Sequence, residues 1–104
     1  MIRKAFVMAV TPGAEVEYRR RHAALWPELR QILIDHGVHT YSIFLHPTTY
    51  QLFAYLEIED EARWAEVAKT IECRRWWTYM AEIMPHNNDE SPTTLLLDEV
   101  FHLM

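Results

Sequence analysis

The chain has 104 residues, half of them hydrophobic and 24% charged, which suits a single globular domain over residues 1–104 that buries its own core. Its net charge of −5 argues against a nucleic-acid partner, because such partners need clustered Lys and Arg. No stretch reads as a membrane span or a cleavable signal peptide, and the single Cys73 cannot form an intrachain disulfide, so we expect a cytoplasmic protein.

The first third of the chain predicts one strand followed by two helical segments. Residues 2–10 are apolar and end at a turn signal, which is typical of a strand. Thr11 followed by Pro12 is a helix-start signal and predicts a first helix beginning there. Pro27 should kink or restart that helix, because proline disfavours α geometry in the residue before it. A second helical segment follows over 28–36 and ends at a glycine.

The remaining sequence predicts a hairpin, more helix and a last strand. Residues 38–46 and 51–58 are rich in β-branched and aromatic residues and are separated by a turn sequence. Asp60 is a suitable cap for the helix that follows, and a further helical stretch runs over about 71–84. A polar loop closed by proline then leads to a predicted strand over 95–103.

The order β-α-β-β-α-β predicts an α+β fold of the ferredoxin-like type, an antiparallel sheet with helices on one face. The two-residue period of strand 51–58 places Phe53 and Tyr55 on the face opposite to Leu52 and Leu56. Both faces therefore carry bulky side chains, although the helices can cover only one. We expect the other face to pack against a second subunit, sheet to sheet, in a homodimer.

Tyr18, His22 and Trp26 follow one another at intervals of four residues, which places them on one helix face. A second helix could bring Trp76 and Trp77 opposite that face. A titratable imidazole between aromatic walls suits a small, partly apolar, uncharged ligand and proton transfer without a cofactor. The pattern favours a carbohydrate site.

Several of these aromatic residues have a structural alternative. Tyr18 and Trp26 at helical spacing could be core packing, and Trp76 and Trp77, about 100° apart on a helix, could divide between core and cleft. Trp26 precedes a proline, which favours a packing role at the kink, so we leave it out of the site. Tyr41 alternates with polar residues, and its pattern alone does not place it in a pocket.

Other functional candidates are weaker. The run Arg19-Arg20-Arg21 is flanked by glutamates and predicts a solvated, salt-bridged helix face. Cys73, in a helix rich in apolar residues, is typical of a buried and inert thiol. The remaining histidines are scattered, whereas a metal site needs three or four converging ligands, so we expect no metal.

The segment from Tyr18 to Leu29, YRRRHAALWPEL, resembles the signature of the L-rhamnose mutarotase family. Further similar residues occur at Arg3 to Met8, His36-Gly37, Tyr41, Cys73 to Trp77, Met84-Pro85 and Glu99 to Phe101. The likeness therefore runs along essentially the whole chain.

This resemblance implies a dimeric α+β barrel in which two ferredoxin-like subunits pack sheet against sheet. It implies cofactor-free interconversion of the α and β anomers of L-rhamnose, an isomerase reaction of rhamnose catabolism. It also implies that His22 is the proton donor and that the substrate contacts are Tyr18, Tyr41, Trp76 and Trp77.

The residue types suit this chemistry. Ring opening requires a proton at the ring oxygen while the anomeric hydroxyl loses one, and imidazole, with a pKa near ~6.5, offers both protonation states at neutral pH. Indole faces suit sugar C–H groups and the methyl of a 6-deoxy sugar. Two alternatives on the same fold remain: a cofactor-free monooxygenase of a polycyclic aromatic substrate, and a non-catalytic dimeric ligand-binding module.

Overall fold

The computed structural model describes residues 1–104 and contains one four-stranded antiparallel sheet with the strand order β2-β3-β1-β4. The strands are β1 Ile2–Ala9, β2 Val38–Leu45, β3 Gln51–Ile58 and β4 Leu95–Leu97. The helices are α1 Glu15–Ala23, α2 Pro27–Asp35, α3 Glu61–Val67 and α4 Ile71–Met80, followed by a 3₁₀ turn, Ala81–Ile83. The predicted α+β, ferredoxin-like fold is confirmed. None of the helices has the length and apolar character that a membrane crossing requires.

The sheet separates a helix-covered face from an open face. Strand β3 runs antiparallel to both neighbours, with Leu56 opposite Lys4 of β1 and opposite Tyr41 of β2. Alternate residues of β3 are at most 2% exposed under the helices, namely Leu52, Ala54, Leu56 and Ile58. On the open face Phe44 is 65% exposed and Leu95 is 66% exposed. This alternation follows from the two-residue period of the strands.

The helices on the covered face begin at side-chain caps where the chain provides them. The Asp60 carboxylate accepts a hydrogen bond from the Arg63 backbone N–H at 2.9 Å, as expected for the cap of α3. Thr70 caps α4, because its hydroxyl accepts from the Cys73 N–H at 3.2 Å. These two caps set where α3 and α4 begin over the sheet.

The start predicted for the first helix is wrong. The Thr11 carbonyl accepts a hydrogen bond from the Ala14 N–H at 2.9 Å, and Gly13 has φ +93°, so this stretch is a turn. Helix α1 begins only at Glu15 and ends at Ala23. Trp26 has the extended backbone expected before Pro27 and is the N-cap residue of α2.

The last strand is much shorter than predicted. Only Leu95–Leu97 pair with β1, and the chain from Asp98 onward has no regular structure. Its apolar side chains remain largely exposed: Val100 is 94% exposed and Phe101 is 76% exposed. Hydrophobic residues alone do not extend a strand. Beyond Leu97 the contact with β1 is a side-chain ion pair between Arg3 and Glu99, not backbone pairing.

Candidate active site

Helix α1 presents Tyr18 and His22 one turn apart, as the spacing of four predicts. The two rings are stacked, with centroids 4.3 Å apart and planes inclined by 27°. The His22 Nδ1 atom lies 3.1 Å from the backbone carbonyl oxygen of Tyr18. A carbonyl oxygen can only accept, so Nδ1 carries the proton and Nε2 is the free nitrogen of the neutral ring.

Helix α4 supplies the opposite wall. Trp76 meets His22 edge to face, with centroids 5.4 Å apart and planes at 89°. Trp26 packs behind it, 5.0 Å from Trp76 at 88° and stacked on Tyr79 at 5.5 Å. Trp26 therefore has the packing position that its place before a proline indicated, one ring removed from the imidazole.

Tyr41 reaches the same region from the sheet. Its ring meets Phe6 of β1 edge to face at 6.4 Å and Trp64 of α3 at 6.2 Å. Residue 41 lies on the helix-covered face because it pairs with Leu56 in the register of β2 and β3. The sequence pattern did not show this, since the placement depends on the partner strand.

A cavity of about 940 Å³ lies between the sheet and the helices. All five predicted site residues line it: Tyr18, His22, Tyr41, Trp76 and Trp77. Most of the other walls are aliphatic or aromatic. The structure thus brings together side chains from α1, β2 and α4 that are up to 59 positions apart in the chain. The arrangement places one imidazole in a largely apolar chamber whose lining also includes Lys4, Glu15 and Arg19.

Burial determines the protonation states of the imidazole and the two phenols in this cavity. Desolvation lowers the pKa of His22 below its ordinary value, and the hydrogen bond to the Tyr18 carbonyl opposes this shift only in part. Burial likewise raises the pKa of the Tyr18 and Tyr41 phenols, so both remain protonated at neutral pH. The resting site therefore holds a neutral imidazole and two neutral phenols.

The Tyr18 and Tyr41 hydroxyls are available to a ligand. Every buried side-chain nitrogen or oxygen has a hydrogen-bond partner within the chain. The hydrogen bonds of the chain include none from either hydroxyl, and both tyrosines line the cavity. Each can donate one hydrogen bond and accept others, which suits the hydroxyls of a sugar.

Comparison with known proteins identifies the family. A family model described as L-rhamnose mutarotase matches residues 3–103. An L-rhamnose mutarotase from Opitutus terrae is 64% identical over 103 residues, covering 99% of both chains. The crystal structure of an L-rhamnose mutarotase from Formosa agariphila superposes with a TM-score of 0.92, at 39% identity and with complete coverage of both chains. The chain belongs to the L-rhamnose mutarotase family.

This membership confirms the resemblance seen in the sequence and, with it, the prediction of an isomerase. An antibiotic biosynthesis monooxygenase also superposes, with a TM-score of 0.65 over 96% of this chain and 99% of the other, but at 17% identity. That likeness shows the ferredoxin-like fold alone. It gives the monooxygenase alternative no chemical support.

Arg21 corrects a prediction made for the run 19–21. Arg20 is exposed and paired with Glu17, as expected of a solvated face, but Arg21 is only 9% exposed. Its guanidinium donates to Glu17 at 2.7 Å, to Glu82 at 2.9 Å and to the Tyr79 carbonyl at 2.6 Å. The partners on the far side lie about 60 positions along the chain, so local charge patterning could not reveal them.

Two further residues that line the cavity were missed in the sequence. Trp64 lines the cavity beside Tyr41, and Lys4 lines it from β1 while forming an ion pair with Glu61 at 3.0 Å. Lys4 occupies an even position of β1, on the same face as Phe6 and Met8. That alternation was the available signal for its position.

Cys73 also lines the cavity, but its chemistry is suppressed. The side chain is 7% exposed, and burial raises the thiol pKa to about 11, so the nucleophilic thiolate is scarce at neutral pH. Cys73 is therefore a poor nucleophile in the folded chain. No group of three His, Cys, Asp or Glu side chains converges in a way that could hold a metal ion.

Proposed function

We propose that this chain interconverts the α and β anomers of L-rhamnose without a cofactor, with His22 as the group that moves the proton. The observation that carries the proposal is the position of the imidazole. The His22 ring stacks on the Tyr18 ring and meets the Trp76 ring edge to face. Its Nδ1 donates to the Tyr18 carbonyl, and its Nε2 has no hydrogen-bond partner in the chain. One nitrogen with a defined role faces a chamber with largely apolar walls.

The proton path follows from the neutral resting state of the ring. The anomeric oxygen O1 and the ring oxygen O5 are both attached to C1, so one nitrogen can serve both. Nε2 of His22 takes the proton from O1–H, and the resulting imidazolium donates it to O5 as the C1–O5 bond breaks. The product is the open-chain aldehyde, which rotates about C1–C2 and closes by the reverse steps to the other anomer. General acid–base catalysis of this type contributes about 10²–10⁴-fold.

The other predicted residues have binding roles in this proposal. The neutral phenols of Tyr18 and Tyr41 donate hydrogen bonds to sugar hydroxyls. The indoles of Trp76 and Trp77 supply flat apolar surface for C–H groups and for the methyl of the 6-deoxy sugar. The apolar surroundings also strengthen each polar contact, because water competes less for it.

Saturation-transfer NMR between the α and β anomeric protons of L-rhamnose tests the activity and the role of His22 together. The wild-type protein should accelerate exchange, and His22→Gln should lose at least about 10²-fold while remaining folded. His39→Gln is the matched control, because His39 is exposed on β2 and pairs with Glu59. Wild-type exchange rates in His22→Gln would disprove the proposed role, whereas no acceleration by folded wild-type protein would disprove the activity itself.

We also infer that the working form is a homodimer packed through the open sheet face. Support comes from exposed apolar side chains on that face, including Phe44, Leu95 and Leu97, and from the exposed apolar tail after β4. Sedimentation equilibrium should give twice the chain mass, and Phe44→Glu should shift the population to monomer. A wild-type monomer at micromolar concentration would contradict this. The cytoplasmic location and the place in rhamnose catabolism stay predictions.

A further inference from the structure

Arg21 is the only charged side chain buried in the molecule, and it lies next to His22 on α1. All three nitrogens of its guanidinium donate hydrogen bonds: Nε to Glu17, Nη2 to Glu82 and Nη1 to the carbonyl oxygen of Tyr79. The guanidinium carbon also lies 4.0 Å above the centre of the Tyr79 ring. A planar fork with a hydrogen bond from each nitrogen fixes orientation as well as charge.

We propose that Arg21 is a positioning residue for the mutarotase reaction, holding α1 against the end of α4 so that His22 and Trp76 keep their edge-to-face geometry. This inference rests on the proposed role of His22. Glu17 belongs to α1, whereas Tyr79 and Glu82 belong to the end of α4 and the turn after it. The guanidinium therefore joins the helix that carries the imidazole to the helix that carries the indoles.

The Tyr79 carbonyl explains why an arginine suits this position. It belongs to the last turn of α4, where backbone carbonyls have no partner within the helix and the helix dipole is negative. Arg21 satisfies that oxygen and places a positive charge beside the helix end. The same cation covers one face of the Tyr79 ring, while Trp26 stacks on that ring and also meets Trp76. We call Arg21 with its partners Glu17, Tyr79 and Glu82 the clamp. Through the stacked ring of Trp26, it is connected to Trp76 in the cavity wall.

Arg20 shows what an arginine without this role looks like. It lies one position earlier, donates two hydrogen bonds to the same Glu17 and remains 62% exposed at its side chain. It donates to no backbone carbonyl of α4. Ion pairs exposed in this way contribute little to stability, because water and salt screen them. The Arg20 guanidinium also approaches the Tyr79 side chain. The two neighbours therefore share a helix and partners, but only Arg21 is buried and only Arg21 binds the Tyr79 carbonyl.

A structural role alone would change stability but leave the geometry at the imidazole intact in the folded population. A positioning role predicts a selective loss in kcat, because a displacement of about 1 Å at the reacting atoms can cost about 10²-fold. Arg21→Met keeps the apolar stem and removes the fork. Arg21→Lys keeps the charge, but a single ammonium cannot hold all three partners in the plane of a guanidinium.

The experiment measures kcat and KM by saturation transfer for Arg21→Met and Arg21→Lys beside Arg20→Met and Arg20→Lys, well below each melting temperature. We expect kcat to fall about tenfold or more in Arg21→Met, with KM changed less than threefold, and the Arg20 variants to stay within twofold of wild type. The imidazole C–H shifts of His22, which report the Tyr18 and Trp76 rings, should move only in the Arg21 variants.

Unchanged kcat and unchanged His22 shifts in folded Arg21→Met would overturn the proposal. If neither Arg21 variant folds, Glu82→Ala decides, because it removes one exposed partner of the clamp and leaves the buried arginine in place. A twofold to threefold loss of kcat with KM held supports the clamp, and a wild-type kcat refutes it. His22→Gln is measured alongside to separate failure of this proposal from failure of the proposed function. Wild-type activity in His22→Gln would refute the role of His22. An inactive His22→Gln beside a fully active Arg21→Met would refute only the role of Arg21.

Discussion

The imidazole of His22 stacks on the phenol of Tyr18 with 4.3 Å between ring centroids, and its Nδ1 is bound to the backbone carbonyl of the same tyrosine. One residue therefore contacts the histidine twice, through a ring and through an oxygen four positions earlier on the helix. These contacts restrict rotation of the ring about its side-chain bonds. They also leave a single nitrogen, Nε2, for chemistry.

The activity should have one acidic limb governed by His22. Burial lowers the pKa of this imidazole below its ordinary 6.5, and the proposed first step needs the neutral ring. We expect kcat to be lost as pH falls through that lowered pKa and to be constant above it. The stability of the fold should depend on pH in the same direction as kcat. The pKa of His22 is lower in the folded chain than in the unfolded chain, so the unfolded chain binds the proton first as pH falls. Acidification below pH 6.5 therefore destabilises the fold.

The measurement is a pH profile of kcat set against an NMR titration of the His22 C–H protons. The two midpoints should coincide below 6.5. An activity that declines as pH rises through the titration midpoint would instead require imidazolium in the resting state, and would contradict the proposed proton path.

Removing the Tyr18 or Tyr41 hydroxyl should weaken catalysis but not the fold. Neither hydroxyl has an intramolecular hydrogen bond, so Tyr18→Phe and Tyr41→Phe keep every contact within the protein and lose one to the sugar. A neutral hydrogen bond contributes about 1 kcal/mol, so kcat/KM should fall roughly fivefold in each. Steady-state anomer exchange and thermal unfolding measure the two effects. Tyr50→Phe, at a tyrosine that does not line the cavity, serves as the control.

A lower melting temperature with an unchanged kcat/KM in either variant would show that the hydroxyl stabilises the fold and does not contact the sugar. That result would remove the residue from the set of sugar contacts.

Replacing Trp77 should raise KM more than it lowers kcat. Its indole lines the cavity and is half-buried, so Trp77→Leu removes flat surface from the sugar at a modest cost in stability. Trp76 is 7% exposed and contacts His22, so its truncation should also cost about 3–5 kcal/mol of unfolding free energy. Titration of L-rhamnose by NMR gives both constants. Ile71→Ala, exposed on the same helix, controls for helix effects. A lower kcat at unchanged KM in Trp77→Leu would argue against the binding role.

Cys73 should resist alkylation in the folded protein. With burial raising the thiol pKa from 9.0 to about 11, the thiolate is about 100-fold scarcer near pH 8 than in an unshifted thiol. Labelling with iodoacetamide, followed by mass spectrometry, should therefore be at least that much slower than in guanidinium. L-Rhamnose should slow it further, because the thiol lines the same cavity. Equal labelling rates in native and unfolded protein would contradict this environment.

Much of this molecule could be predicted from its sequence because the relevant signals are local. The spacing of four brought Tyr18 and His22 together, and strand alternation separated the two faces of the sheet. The start of α1 was mispredicted because Gly13 and the Thr11 carbonyl form a turn that competes with a good helix-start signal. Arg21 was misjudged because its partners Tyr79 and Glu82 are close only after α4 packs against α1.

The cavity and the hydrophobic core are built from the same side chains. Of the eleven buried residues that form the main core cluster, all but Ala54 also line the cavity. Few interior positions can therefore be substituted so that only the stability of the fold, or only the shape of the cavity, changes. A substitution that tightens the interior would fill the space a sugar needs, and one that widens the chamber would weaken the fold. Such an enzyme is expected to drift mainly at its surface and loops.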